Sequence, residues 1–211
     1  MKKKAIVAVV ALVLVLCCAM GGTLAWLVDS TTEVKNTFTY GDINISLWEH
    51  ELNDDGLTLS TDVFTGAEQT GFKMIPGNKI EKDPTVTVKA DSEASWLFVK
   101  IVESDNFDDF MTYAIAEGWT FFNTTATGDE IDTDTNDGYV IYRQVDDTIG
   151  DQQNTNFAVL NNNEVLVKNT VTKGMLNAED FENPTLTFTA YAVQQDNLTL
   201  EQAYNQAFNA N

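Results

Sequence analysis

Residues 184–193, Pro-Thr-Leu-Thr-Phe-Thr-Ala-Tyr-Ala-Val, alternate apolar and polar side chains more clearly than any other part of the chain. A period of two puts Leu186, Phe188, Ala190 and Ala192 on one face of a strand, with threonines and Tyr191 on the other. Shorter runs of the same kind recur. Ile43, Ile45 and Leu47 share a face after a Gly41 bend. Asp83–Lys89 reads as a strand opened by Pro84, a position that suits proline. Trp96–Val102 is almost continuously apolar and predicts a central strand. Further strands are expected at 119–122, 139–145, 157–160 and 164–171. Turn signals separate them, among them Asn53-Asp-Asp-Gly and Ile75-Pro-Gly-Asn. Many short strands punctuated in this way predict an all-β fold, a β-sandwich with short helical insertions.

Three helical segments are expected. Ser104 or Asp105 caps an amphipathic helix of about three turns carrying Phe107, Phe110, Met111, Ala114 and Ile115, closed by Gly118. Residues 177–181 read as one helical turn. Thr199 and Gln202 form a capping box for a helix over 200–208.

The N-terminus is of another kind. Lys2, Lys3 and Lys4 precede sixteen uncharged residues, Ala5–Met20, and Gly21-Gly22 end the run. Thr23-Leu24-Ala25 supplies small residues for a peptidase, so residues 1–25 read as a secretory signal cut between Ala25 and Trp26. Twenty-four residues separate Lys4 from Asp29. An uncleaved membrane anchor therefore fits physically and would be the only membrane contact. Cys17 and Cys18 lie in the apolar run, so cleavage leaves no disulfide in an exported body. That body has 186 residues with nine basic and 32 acidic side chains, a net charge of −23. Such a charge excludes nucleic-acid binding through phosphates and disfavours anionic lipid. It suits a soluble extracellular protein.

Several of these blocks together resemble the TasA/camelysin family of secreted Gram-positive proteins with a SipW-type signal peptide. The first block is Lys2–Lys4, Gly21-Gly-Thr-Leu-Ala25, Asp29 and Phe38-Thr-Tyr-Gly-Asp-Ile-Asn-Ile, with Ile at two positions where the family has Leu. The looser blocks are Pro76-Gly, Lys82-Asp-Pro-Thr-Val-Thr, Ala94-Ser-Trp-Leu-Phe-Val-Lys and Phe188-Thr-Ala-Tyr-Ala-Val-Gln-Gln-Asp. The 104–180 region matches only in general character. The resemblance implies a jelly-roll β-sandwich over 37–211 and cleavage by a SipW-like signal peptidase. It also implies assembly into, or attachment to, extracellular biofilm-matrix fibres, through self-association or with related subunits.

In such fibres a freed N-terminal strand completes the sheet of the next subunit. Here the candidate donor is 26–36, with Trp26, Val28 and Val34 as its apolar side chains and a Thr- and Val-rich composition that suits a strand. The other reading of the same segment is a first strand pairing within its own chain. An alternative function is a monomeric cell-surface binding module. Asp132-Thr-Asp-Thr-Asn-Asp-Gly138 offers Asp132, Asp134 and Asn136 as calcium ligands, although Asp137 and Arg143 stand where an EF-hand needs Gly and Glu. The aromatics Trp96, Phe98, Phe121, Phe122, Phe188 and Tyr191 read as core or rim, or as a carbohydrate platform. A camelysin-like metallopeptidase has the least support. The chain has one histidine, His50, and no His-Glu-x-x-His, and His50 reads as a solvated loop residue with no partner. No sorting signal precedes Asn211, so covalent wall attachment is not expected.

Overall fold

The computed structural model describes residues 42–122, 138–146 and 153–208. These form an all-β protein of several antiparallel sheets with few helices. The central strand is β6 (Ser95–Glu103), flanked by β12 (Leu186–Gln194) and β9 (Tyr139–Val145), with the two-residue β8 (Thr120–Phe121) at the far side of β9. β12 runs against β6 over its whole length, from Leu186 opposite Glu103 to Gln194 opposite Ser95. A second sheet has β5 (Thr85–Val88) between β1 (Ile45–Trp48) and β10 (Thr155–Ala158).

The pleat explains how the two sheets meet. Leu97, Val99 and Ile101 of β6 and Ile141 and Val145 of β9 face Val86 and Val88 of β5 and Phe157 of β10 in one buried core. The alternating face of β12 (Leu186, Phe188, Ala190 and Ala192) packs against that core, as its period of two requires. The even-numbered residues of β6 and β9 point the other way. Phe98 and Val140 are covered by the C-terminal helix α3 (Leu200–Phe208), whose Ala203 is fully buried against them. β6 is thus buried on both faces, which is why its sequence is apolar almost without interruption. Each fully buried side chain of this kind contributes roughly 1.5–3 kcal/mol.

A third sheet orders β4 (Lys79–Glu81), β11 (Glu164–Val167) and β7 (Met111–Thr112). It encloses a second core of Ile80, Phe107, Phe110, Leu160, Val165 and Val167. β2 (His50–Leu52) and β3 (Leu59–Val63) form a separate hairpin. Its turn is set by Asp55, whose carboxylate accepts from the backbone of Leu57 and Thr58 and from the Thr58 hydroxyl. Gly56 follows at φ 72°, a conformation that favours glycine.

The helix expected after Ser104 is cut to one turn, α1 (Phe107–Phe110). Its apolar positions are shared between two cores. Met111 and Thr112 extend to pair with Val167 and Leu166, and Ile115 bridges to Leu160. Sheet ladders satisfy that backbone and override the helical period. The later turn also moves. It is α2 (Lys173–Leu176), capped by Thr172 accepting from Met175, rather than 177–181. The capping box at α3 is as expected, with Thr199 N–H donating to Gln202 Oε1 and Gln202 N–H to Thr199 Oγ1. Among the described residues no helix is long and apolar enough to cross a membrane.

Candidate functional site

The end of β1 delivers Leu47, Trp48 and Glu49 to one edge of the fold. Trp48 is fixed by its indole N–H donating to Thr87 Oγ1 at 2.8 Å. The irregular segment 64–74 then folds back on the β2–β3 hairpin. Phe64 N–H donates to the Glu49 carbonyl, and Lys73 N–H to that of Gly56. Gln69 holds β2 at two points, accepting from Leu52 N–H at 2.8 Å and donating to the His50 carbonyl at 3.3 Å.

Between this segment and the start of β12 lies a cleft of ≈ 790 Å³. Leu47, Phe64, Phe72, Met74, Phe107 and Met111 line it together with residues 183–188. Two of its charged members, Lys82 and Glu49, are paired with each other. Lys82 Nζ donates to both Glu49 carboxylate oxygens, at 2.9 and 2.8 Å, and lies over the rings of Phe72 and Phe188 at 5.3 and 5.7 Å. The lysine stem and its paired head therefore form part of an apolar wall.

The cleft adjoins two strand edges. Among the described residues β1 pairs only with β5, and β12 only with β6, while β1 and β12 touch each other. A trough with several apolar side chains, beside strand edges that have no ladder partner among the described residues, has the chemistry to take an extended peptide. Main-chain hydrogen bonds supply affinity, and alternate side chains enter the trough.

His50 is not the unpartnered loop residue that the sequence suggests. It opens β2, and Asp83 holds it twice. The Asp83 Oδ1 accepts from His50 N–H at 3.0 Å, and Oδ2 lies 2.5 Å from the His50 Nδ1. Asp83 is buried, and Trp48 meets the imidazole edge-on at 5.0 Å. The pair locks the β1–β2 corner to the start of β5. Nothing in the sequence signalled it, because 33 residues separate the partners.

A second polar cluster sits at the other end of β6. The Tyr113 hydroxyl donates to Glu103 Oε1 at 2.5 Å and is also in a short contact with the Tyr139 hydroxyl. Burial raises the pKa of Glu103, and Asp108 adds to the rise against the opposing Tyr113 hydrogen bond and Lys168. Burial likewise raises both tyrosines, so all three groups favour their neutral forms.

The residues singled out in the sequence fare unevenly. The cleavage pair Ala25 and Trp26, the donor residues Val28 and Val34, and the calcium candidates Asp132, Asp134 and Asn136 all lie outside the described residues. No metal-holding group of His, Cys, Asp or Glu occurs among the described residues. Phe98 and Phe122 are buried, whereas Phe121 is 51% exposed on the rim strand β8. The Lys82–Glu49 pair was missed, since its members lie on different elements with no shared periodicity. Comparison with protein-family models, curated proteins and solved structures finds no match to the chain.

Proposed function

We propose that this is a secreted structural protein that assembles into extracellular matrix fibres, with a jelly-roll sandwich as its body. The observation that carries the reading is the cleft at the adjoining edges of β1 and β12, which have no ladder partner there among the described residues. In this proposal a SipW-like signal peptidase cuts between Ala25 and Trp26. Residues 26–36 of one copy then lie along the β12 edge of the next and place Trp26, Val28 and Val34 in or beside the trough. The lengths agree. Eleven extended residues span about 36 Å, against about 30 Å for the nine of β12. Head-to-tail contacts of this type do not close on themselves, so they grow a filament. The similarity of the N-terminal block to TasA/camelysin proteins supports the same reading.

Electron microscopy of purified protein beginning at Trp26, beside protein beginning at Thr37, tests it. The longer form should give filaments and the shorter form none, and adding the shorter form should terminate filament growth. Filaments of equal abundance from both forms, or none from the longer form across a range of pH and calcium, would reject strand exchange.

A further inference from the structure

Residues 49–74 leave the sandwich at the end of β1 and return before β4. They carry the β2–β3 hairpin and the irregular segment 64–74, which are bonded to each other through Gln69, Phe64 N–H and Lys73 N–H. None of their side chains belongs to the buried hydrophobic core. Leu57, Phe72 and Met74 are only partly buried against the second core. Among the described residues, β2 and β3 pair with no other strand. A two-stranded hairpin is at best marginally stable alone, so other contacts must hold this excursion in place.

That hold is concentrated. Among the described residues, every hydrogen bond and ion pair from 49–74 to the rest of the fold ends on Glu81, Lys82 or Asp83. Glu81 Oε2 accepts from Leu59 N–H at 2.7 Å, and Glu81 N–H donates to the Leu57 carbonyl at 2.8 Å. Lys82 holds Glu49, and Asp83 holds His50. The three residues of this clasp are fixed to the sandwich. Glu81 ends β4, Lys82 N–H donates to the Asn163 carbonyl, and the Thr85 hydroxyl donates to the Asp83 carbonyl.

The ends of the excursion suit hinges. It departs at Glu49, between two strands, and is followed by the Ile75-Pro-Gly-Asn turn, where Gly77 has φ 78°. Bonds to charged groups are exchanged for bonds to water at a modest net cost. Opening the clasp therefore costs less than unfolding the sandwich. The same excursion supplies Phe64, Phe72 and Met74 to the cleft, and Lys82 of the clasp lies in the cleft wall over Phe72.

We propose that residues 49–74 swing as one flap, and that the Glu81-Lys82-Asp83 clasp holds this flap closed and so controls entry to the cleft. The hairpin and segment 64–74 keep their mutual bonds in the swing, and the clasp bonds break together. As a gate for an incoming strand, the flap rests on the strand-exchange reading above.

The N–H groups of His50, Leu59 and Glu81 cross the clasp. Their hydrogen exchange, followed by NMR in dilute labelled protein beginning at Trp26, reads the swing. The three should share one opening, with a shallower urea dependence than Leu97 and Val99 in β6. Asp83→Asn keeps the shape and removes the charge. It should speed exchange at Leu59 and Glu81 by about tenfold, although neither N–H bonds to Asp83. Ile101→Val, in the core, should speed exchange in β6 and leave the three unchanged. Equal acceleration of both sets in Ile101→Val means that the segment opens only with global unfolding, and overturns the proposal. So does an effect of Asp83→Asn confined to His50. Asp83 does not line the cleft, so a blocked peptide of residues 26–36 should associate faster with Asp83→Asn than with wild type, by about the same tenfold. Equal rates reject the gate and leave strand exchange standing. No binding to either form, with the shared opening intact, rejects strand exchange and leaves the flap standing.

Discussion

Glu103 and Asp55 are carboxylates whose environments push them in opposite directions, and each gives stability a different pH dependence. Glu103 is half-buried under Tyr113 and its pKa is raised, first by desolvation. The folded state therefore holds that proton more tightly than the unfolded chain. The stability this group contributes is complete below its unfolded value, near 4.3, and is lost as pH rises through the raised folded value. Glu103→Gln keeps an oxygen acceptor for Tyr113 and removes the titration. Its urea midpoint should match wild type below about pH 4 and move progressively above it as pH rises. Asp55 runs the other way. Hydrogen bonds from the Thr58 hydroxyl and from Leu57 and Thr58 N–H bring it down to about 2. Its contribution is present above the unfolded value, near 3.9, and falls away as pH drops toward 2. Asp55→Ala should lower the unfolding midpoint at neutral pH, and the gap from wild type should close between about pH 4 and pH 2. The role of Asp55 was legible, because Asn53-Asp-Asp-Gly is a local turn signal. The pairing of Glu103 with Tyr113 was not. It depends on Met111–Tyr113 being extended, where the sequence period indicated helix.

Elements whose pattern is satisfied by their own neighbours were read correctly, and those decided by tertiary pairing were not. The alternation at 184–193 became β12, the apolar run at 96–102 became the central β6, and the span 139–145 became β9. The helix at 200–208 was announced by its capping box, but what it covers was not. α3 lies on the outer face of β6 and β9, with Tyr204 stacked on Phe122 at 4.0 Å and 8° and set edge-on to Phe98 at 6.2 Å. Aromatic pairs contribute about 0.5–1.5 kcal/mol beyond their buried area. Tyr204→Ala should therefore cost about 2–4 kcal/mol in urea unfolding and weaken the near-ultraviolet dichroism of the aromatic cluster. Gln206→Ala, on the exposed side of the same helix, should stay within about 0.5 kcal/mol of wild type. Equal losses in the two variants would mean that α3 is not docked on the sheet. The expected helix at 104–118 failed for the converse reason. Its apolar residues do recur at helical spacing, but β11 and Leu160 offer backbone partners that a continued helix would leave unmet.

At the scale of the whole molecule, the cleft could not have been read from the sequence, because its walls come from segments as far apart as Leu47 and Phe188. The charge could, and it bears directly on assembly. The body proposed to assemble, residues 26–211, carries −23 and repels its own copies. In the proposed assembly, strand exchange into the cleft opposes that repulsion with buried area and main-chain hydrogen bonds, neither of which salt screens strongly. Raising salt from about 0.01 M to 0.1 M shortens the screening length from about 30 Å to about 10 Å. That removes much of the repulsion between approaching copies and leaves the docked contacts largely intact. Filament growth followed by light scattering at fixed protein concentration should therefore begin earlier and proceed faster over that range. Assembly that slows steadily with salt would mean that opposite charges hold the copies together, and strand exchange at the β12 edge would then have to be abandoned.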